Sequence, residues 1–558
     1  MAAAAAQPPD TIYHHGKVIT VAPGRPVVEA FAVRGNRFVA AGSDREVLAT
    51  AGPATKKIDL GGRTVVPGLI ENHVHPIGAA LAEQESPVPA MHSIADIQAY
   101  IKDRAARLPA NRIIFVPKVY PSRLKERRYP NRYDIDTAAP GRLAMCDNGY
   151  AGVLNSLLLE KAGITRQTPQ PATGKIIKDE HGEPTGLILG APEILRPFRQ
   201  NRPPTHADMV WAIKSMQKAY NQAGLTSIFD RLQGPEGFRA YQEVRTSGEL
   251  TVRANVTYYI TAKGTPQDVA DEIRRIPFVT GWGDDWLRVG PLKTTVDGGI
   301  LIGTAYLRDP YGMNTQLYGY SDPDYRGVLS VTKENLFMMA RVANELGWQM
   351  TSHATGGGAI DLLLDAYEEA DRIKPIRDRR FNLMHANFPN ARAIERAKRL
   401  GVVMDSQIAW LYSDGDAIKD TFGPARMAEF LPFRSLLDAG LKVVGGSDHM
   451  IRFDSREAIN PYHPFFGMWM AITRKTVGGL VIGPSQRVTR EEALRMWTID
   501  GAWNSFEEKV KGSIEPGKLA DFVVISKDYL TCPVEEIRDI DALETVVDGK
   551  VVYRSGAL

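Results

Sequence analysis

The chain has 558 residues, 44% of them hydrophobic, with 68 basic and 65 acidic side chains and a net charge of +3. That is apolar chain for more than one minimal core, and a near-balanced charge with no basic tract interleaved with aromatics gives no footing for nucleic acid. Two cysteines, Cys146 and Cys532, make neither a disulfide framework nor a thiolate zinc site, and no apolar run approaches the roughly 18 residues that span a bilayer.

The first ten residues, MAAAAAQPPD, have no basic n-region and no long apolar stretch, so they are not an intact signal peptide. They read either as the stub of one, which would imply a periplasmic location, or as a plain tail on a cytoplasmic protein. Residues 11–66 then read as short strands punctuated by glycine and Gly-Asn. The far end reads the same way: ADFVVIS precedes LETVVDGKVVYRSG, where Asp548-Gly549 signals a hairpin turn. Residues 11–66 plus 511–558 are expected to form one small β-sandwich domain from both chain ends.

Residues 67–510 alternate apolar strand-like runs with helical stretches. The strand candidates, in order, are GLIENHVHP, LTSIFDR, VRANVTYYI, LRVGPLKTTVDGG, WQMTSHATG, FNLMHANF, GVVMDSQI and LKVVGGSD. Helix-like runs such as ENLFMMARVANELG and NARAIERAKRLG lie between them. Eight β-then-α units predict an α/β fold, a (β/α)8 TIM barrel. Far more chain than the roughly 30 residues of one βα unit separates the first strand from the second. Residues 77–205 are therefore expected to be an insertion. An insertion after a barrel strand sits at the C-terminal mouth, where active sites lie, so it is expected to cap the site.

The chemistry gathers at the ends of these runs. His73 and His75 close the first, and residues two apart on a strand face one side. Lys293, His353, His385 and Asp448 each close a later run. The C-terminal ends of barrel strands share one mouth, so the six can converge. Each alone has a plainer reading, such as a hydrogen-bonded histidine or a helix-capping aspartate; six in barrel order do not. Imidazole and carboxylate donors suit zinc first, with manganese, cobalt, nickel or iron able to take the same ligands.

These segments resemble the amidohydrolase superfamily, in its amidohydrolase family 3 branch with the N-substituted formamide deformylases. VVPGLIENHVHP resembles the family's first-strand motif, KTTVDGGILIGTA its lysine segment, and HATGGGAIDLLLDAYE, MHANF and GGSD its later ligand strands. KGSIEPGKLADFVVI and VVDGKVVY resemble its return into the β domain. The resemblance covers nearly the whole chain. It implies two divalent ions: His73, His75 and Asp448 on the first, His353 and His385 on the second. It also implies that Lys293, carboxylated on its side-chain nitrogen, bridges the ions together with a hydroxide, and that Asp448 is the general base. A homo-oligomer is a further habit of the family.

Several positions depart from the family pattern. Glu71 replaces an aspartate and is expected to support the metal site. In DNGYAGVLNS, Tyr150 and Val153 stand where histidine and tryptophan are usual, which places Tyr150 among candidate substrate or supporting residues. His449, after Asp448, is read either as a substrate contact or as a loop hydrogen bond, and His463 as structural. Asp297 is expected to orient Lys293 or a ligand histidine. Tyr306, Arg308, Tyr311 and Tyr318 are candidate pocket-lining residues.

The leading expectation is hydrolysis of an amide or cyclic amide C–N bond in a small molecule. A lactonase or esterase using the same ions is the nearest rival. A one-metal deaminase would not need Lys293, and a non-catalytic binding protein would not need the ligand set.

Overall fold

The computed structural model describes residues 7–171, 173–199, 203–312, 315–320 and 322–556; the first six residues of the Ala-rich start lie outside the described residues. The eight apolar runs become eight parallel strands. They are β1 (Leu69–Val74), β2 (Leu225–Gln233), β3 (Arg253–Tyr259), β4 (Leu287–Thr295), β5 (Met350–Ala354), β6 (Asn382–His385), β7 (Val403–Gln407) and β8 (Val443–Gly446). They pair in chain order. The two ends of the row also meet: Asp448 N–H donates to the His73 carbonyl at 2.9 Å and His75 N–H to the His449 carbonyl at 3.0 Å. This draws the sheet into a barrel.

The helices between strands form for local reasons that the sequence carries. Lys333–Leu346 starts behind Thr332, whose side chain accepts from Asn335 N–H, and stops at Gly347 with φ 91°. Ala391–Leu400 is capped by Asn390 and ends at Gly401, φ 70°. Side-chain caps satisfy orphan N–H groups at the start, and a left-handed glycine ends the helix without a Cβ clash.

The chain ends meet in a six-stranded sheet where Phe522–Ile525 pairs antiparallel with Thr64–Pro67. A four-stranded sheet from residues 11–59 shares a core with it, including Tyr13, Phe31 and Phe38 on one side and Val65, Phe522 and Val524 on the other. Asp548 and Gly549 make the hairpin turn with φ 58° and 73°. The buried Arg253 of β3 binds both Asp521 oxygens at 2.7 and 2.9 Å, tying the barrel to this sheet.

Between β1 and β2, a five-stranded sheet of Lys175–Lys178, Pro184–Leu189, Ala151–Leu154, Ala144–Asp147 and Ile114–Val116 has its own core around Met145, Leu158 and Ile188. It is fastened to the barrel side by Arg123, which pairs with Asp414 at 2.8 Å, and by the Tyr129 hydroxyl, which donates to the Ile302 carbonyl at 3.1 Å. The helix His206–Gln222 then leads into β2 behind a Thr205–Asp208 capping box. No helix among the described residues is long and apolar enough to cross a membrane.

Candidate metal centre

His73 and His75 leave the end of β1 toward Asp448, just past β8. Asp448 Oδ1 lies 3.5 Å from His73 Nε2 and 3.1 Å from His75 Nε2, and one ligand atom from each of the three lies within 4.8 Å of the others. The His73 ring is 5.0 Å from that of His385, which is 4.3 Å from that of His353. Lys293 lines the same cavity of about 960 Å³ as these five residues. The six residues singled out in the sequence thus share one mouth.

Their neighbours hold them there. Glu71 Oε1 accepts from His73 N–H at 3.0 Å and from Ser447 N–H at 2.9 Å, so one carboxyl oxygen ties the ends of β1 and β8 together. Gly446 lets those strands approach: a Cβ there would lie 2.9 Å from His73 Cβ and 3.0 Å from His73 N. Gln407 spans two ligand candidates, its Oε1 2.7 Å from His385 Nδ1 and its Nε2 3.1 Å from His73 Nδ1. The same Nε2 donates to Asp405 Oδ1 at 2.7 Å, and Asp405 pairs with the fully buried Arg231 at 2.8 Å. His385 and Asp448 have φ of 70° and 59°. Left-handed backbone costs a non-glycine residue on the order of 1 kcal/mol, which is spent here on side chains that face the mouth.

The donor set fits divalent ions. Burial holds His73 and His385 well below the ordinary imidazole range and His353 down at about 3, so all three are neutral and present lone pairs. On His353 the Gly298 carbonyl stands 3.1 Å from Nε2 and the Tyr150 hydroxyl 3.1 Å from Nδ1, so an N–H on Nε2 leaves on Nδ1 a lone pair that the Tyr150 hydroxyl meets. Gln407 Oε1 does the reverse for His385, leaving Nε2. His73 Nε2 is buried with no hydrogen-bond partner among the described residues. Burial works against an ionised Asp448, while the facing His73 and His75 pull its carboxyl below the usual carboxylate range. Burial lowers Lys293 to about 8.

The other sequence candidates divide. The Tyr150 hydroxyl stands 3.1 Å from His353 Nδ1, in the cavity. Asp297 orients neither Lys293 nor a ligand histidine by a direct bond. His353 Nε2 is 3.9 Å away, and Asp297 instead accepts from the backbone of Thr355, Gly356 and Tyr306 at 3.0, 2.8 and 2.9 Å. It shapes the turn after β5. His449 is fully buried, with Nε2 2.7 Å from the Arg452 carbonyl and Nδ1 3.1 Å from the Tyr220 hydroxyl, so the loop-bond reading is the one the structure gives. His463 is buried at the start of the helix Pro464–Thr473, away from the cavity. Tyr306, Arg308, Tyr311 and Tyr318 do not line the cavity. Arg308 pairs with Asp361 at 2.6 Å, and Tyr311 and Tyr318 pack edge to face, ring centres 5.4 Å apart, with Tyr320 and Tyr325.

Sequence reasoning missed Gln407, Asp405, Arg231 and Lys118. Asp405 and Gln407 lie two apart at the end of β7, the same spacing that singled out His73 and His75. Lys118 comes from the insertion, which also contributes Phe115, Tyr120 and Asn148 to the cavity wall.

Comparison with known proteins agrees with this geometry. The amidohydrolase family profile matches residues 56–553. The chain is 29% identical to N-substituted formamide deformylase of Arthrobacter pascens over 562 aligned residues, covering 98% of this chain and 99% of that one. It is 27% identical to protein LONG AFTER FAR-RED 3 of Arabidopsis thaliana, covering 98% and 91%. An uncharacterized metal-dependent hydrolase from Pyrococcus horikoshii OT3 shares the fold, with a TM-score of 0.69 at 22% identity over 94% of this chain and 99% of that one. A profile match over most of the chain, on a barrel whose strand ends carry this donor set, makes the protein a member of the amidohydrolase family.

Proposed function

We propose that the protein hydrolyses the C–N bond of an amide or cyclic amide in a small molecule, using two divalent ions. The observation that carries this reading is the convergence of His73, His75 and Asp448 within 4.8 Å, in one cavity with Lys293, His353 and His385. His73, His75 and Asp448 would hold one ion and His353 with His385 the other. Lys293 would stand between them as its carbamate. Its lowered pKa, about 8, leaves a useful unprotonated fraction at neutral pH, the form that adds carbon dioxide. Zinc is the ion best matched to nitrogen and carboxylate donors.

When bound, the ions acidify a water and polarise the scissile carbonyl. Asp448 does the proton work. Ionised, it takes a proton as water oxygen bonds to the carbonyl carbon, then gives that proton to the departing nitrogen as the C–N bond breaks. Gln407 keeps His385 in the tautomer that leaves Nε2 free, and the Gly298 carbonyl favours an N–H on His353 Nε2, so that His353 Nδ1 would meet an ion in place of the Tyr150 hydroxyl. The division into a composite β domain (11–66 with 511–558), a barrel (67–510) and an inserted cap (77–205) belongs to the same reading. The insertion residues in the cavity wall support its role in enclosing the substrate. The resemblance to N-substituted formamide deformylase makes N-alkyl formamides the first substrates to try. The test is release of formate from N-benzylformamide, with and without removal of metal by chelation. Turnover that is lost on chelation and restored by zinc is the expected result; turnover indifferent to chelation would contradict the proposal.

A further inference from the structure

Lys118 has no direct ion-pair partner among the described residues. It lies on the loop after Ile114–Val116 and lines the cavity that holds the metal centre. Burial lowers the Lys118 amine below its ordinary range, Asp147 and Asp448 favour its charged form and the Arg199 guanidinium opposes it, but both carboxylates are engaged elsewhere. Asp147 receives Arg199 Nε at 2.8 Å and Gly149 N–H at 3.0 Å. Asp448 faces His75 and His73 at 3.1 and 3.5 Å. The Lys118 ammonium makes no ion pair or hydrogen bond among the described residues.

Its backbone adds an independent observation. Lys118 has φ of 55°, a conformation in which glycine would be cheaper. The next residue is clamped on both sides: Val119 N–H donates to the Asp147 carbonyl at 2.9 Å and Asn148 Nδ2 to the Val119 carbonyl at 3.2 Å. His385 and Asp448, which line the same cavity, also have left-handed backbone, as do the lining glycines Gly149 and Gly190. A strained position that carries a long cationic side chain into a cavity points to use of that side chain.

We propose that Lys118 receives a carboxylate of the substrate, so that the preferred substrates are N-acyl compounds carrying a carboxylate beside the scissile amide. This rests on the hydrolase reading above. The metal centre would engage the amide and Lys118 the anion, and Tyr120, Trp410 and Leu301 supply apolar wall for the rest of the molecule. The substrate's anion would neutralise a charge that the protein itself leaves open.

The test uses probe pairs that differ by one carboxylate. Benzylsuccinate carries one carboxylate for the metal centre and a second for Lys118; 4-phenylbutanoate lacks the second. Calorimetric titration of the metal-loaded protein should show benzylsuccinate binding about tenfold more tightly or better, as expected of a charge-assisted contact. In Lys118→Met that ratio should collapse toward one, and in Lys118→Arg most of it should return, with unchanged metal content showing that the centre is intact. Equal affinities in the wild type, a preference that survives Lys118→Met, or no binding of either probe would overturn the proposal. Hydrolysis separates the two ideas. If racemic N-formylphenylalanine and N-formyl-2-phenylethylamine are cleaved equally well, Lys118 has no such role and the hydrolase reading stands. If neither is cleaved while the calorimetric preference holds, the anion site stands and the hydrolase reading fails on these amides.

Discussion

Breaking the Arg231–Asp405 pair should damage stability and the metal centre together, and the two effects can be separated. Both side chains are fully buried and 2.8 Å apart. Burial raises Asp405 to about 6 against the pull of Arg231, so the carboxylate is mostly ionised at neutral pH. Asp405→Asn leaves a guanidinium whose remaining anchors include the Asn72 carbonyl at 2.8 Å. Removing one partner of a buried pair costs about 3–5 kcal/mol, whereas replacing both with apolar groups of similar volume is often close to neutral. Asp405→Asn and Arg231→Met should therefore each lose several kcal/mol in urea denaturation at pH 7.5. The double variant Arg231→Met with Asp405→Leu should recover most of that loss. It should not recover metal binding, because Asp405 Oδ1 also anchors Gln407 Nε2 at 2.7 Å, and Gln407 orients His385 and His73. A double variant that loses the sum of the two single losses would refute this account of the pair; one that binds metal like the wild type would refute the role given to Asp405 beneath Gln407.

Three further predictions follow from neighbouring contacts. Gln407→Leu removes the amide between His385 and His73 and should weaken metal affinity by about 10–100-fold, read by competition with a chromogenic chelator, while leaving the fold intact by circular dichroism. Gly446→Ala places a methyl group 2.9–3.0 Å from His73 and Glu71 and should cost about 1–3 kcal/mol, together with loss of metal; unchanged denaturation would show that the β1–β8 seam is looser than described. Glu71 has a folded pKa of about 8 against an ordinary value of 4.5, because burial outweighs the N–H bonds it accepts. Stabilisation by its neutral form is whole below pH 4.5 and is lost as pH rises through 8, with a slope of at most about 1.4 kcal/mol per pH unit. Glu71→Gln has no such proton, so the stability of the variant relative to wild type should rise from pH 5 to 8; a difference constant over that range would show that Glu71 is ionised throughout.

The barrel was readable because each strand is an apolar run closed by a polar residue, and buried parallel strands need little else. His353, His385 and Asp448 stood out for the same reason, since a polar group at the end of an apolar run is costly unless it is used or paired. The hairpin at Asp548-Gly549 was legible from turn chemistry alone. The insertion was visible from the length of chain before Leu225, but its sheet order was not, because the partner of a short strand depends on distant residues. Proximity in sequence misled where the backbone turns sharply. Asp448 has φ 59°, which sends His449 away from the mouth to Tyr220 and Arg452. The chain after Lys293 likewise carries Tyr311 and Tyr318 into a tyrosine cluster and Arg308 onto Asp361, rather than into the cavity. Lys118 was hidden because an isolated lysine in a loop looks solvated until the carboxylates around it are seen to be taken.

The central claim is that six side chains at the barrel mouth hold two ions, with Lys293 between them. Metal content by plasma mass spectrometry, on protein purified without chelator and with bicarbonate present, tests it most directly. About two ions per chain, falling sharply in Lys293→Ala, is the predicted result. One tightly held ion that is indifferent to Lys293→Ala would contradict the bridged pair, and protein that takes up no metal even with added zinc or manganese would contradict the hydrolase mechanism as a whole.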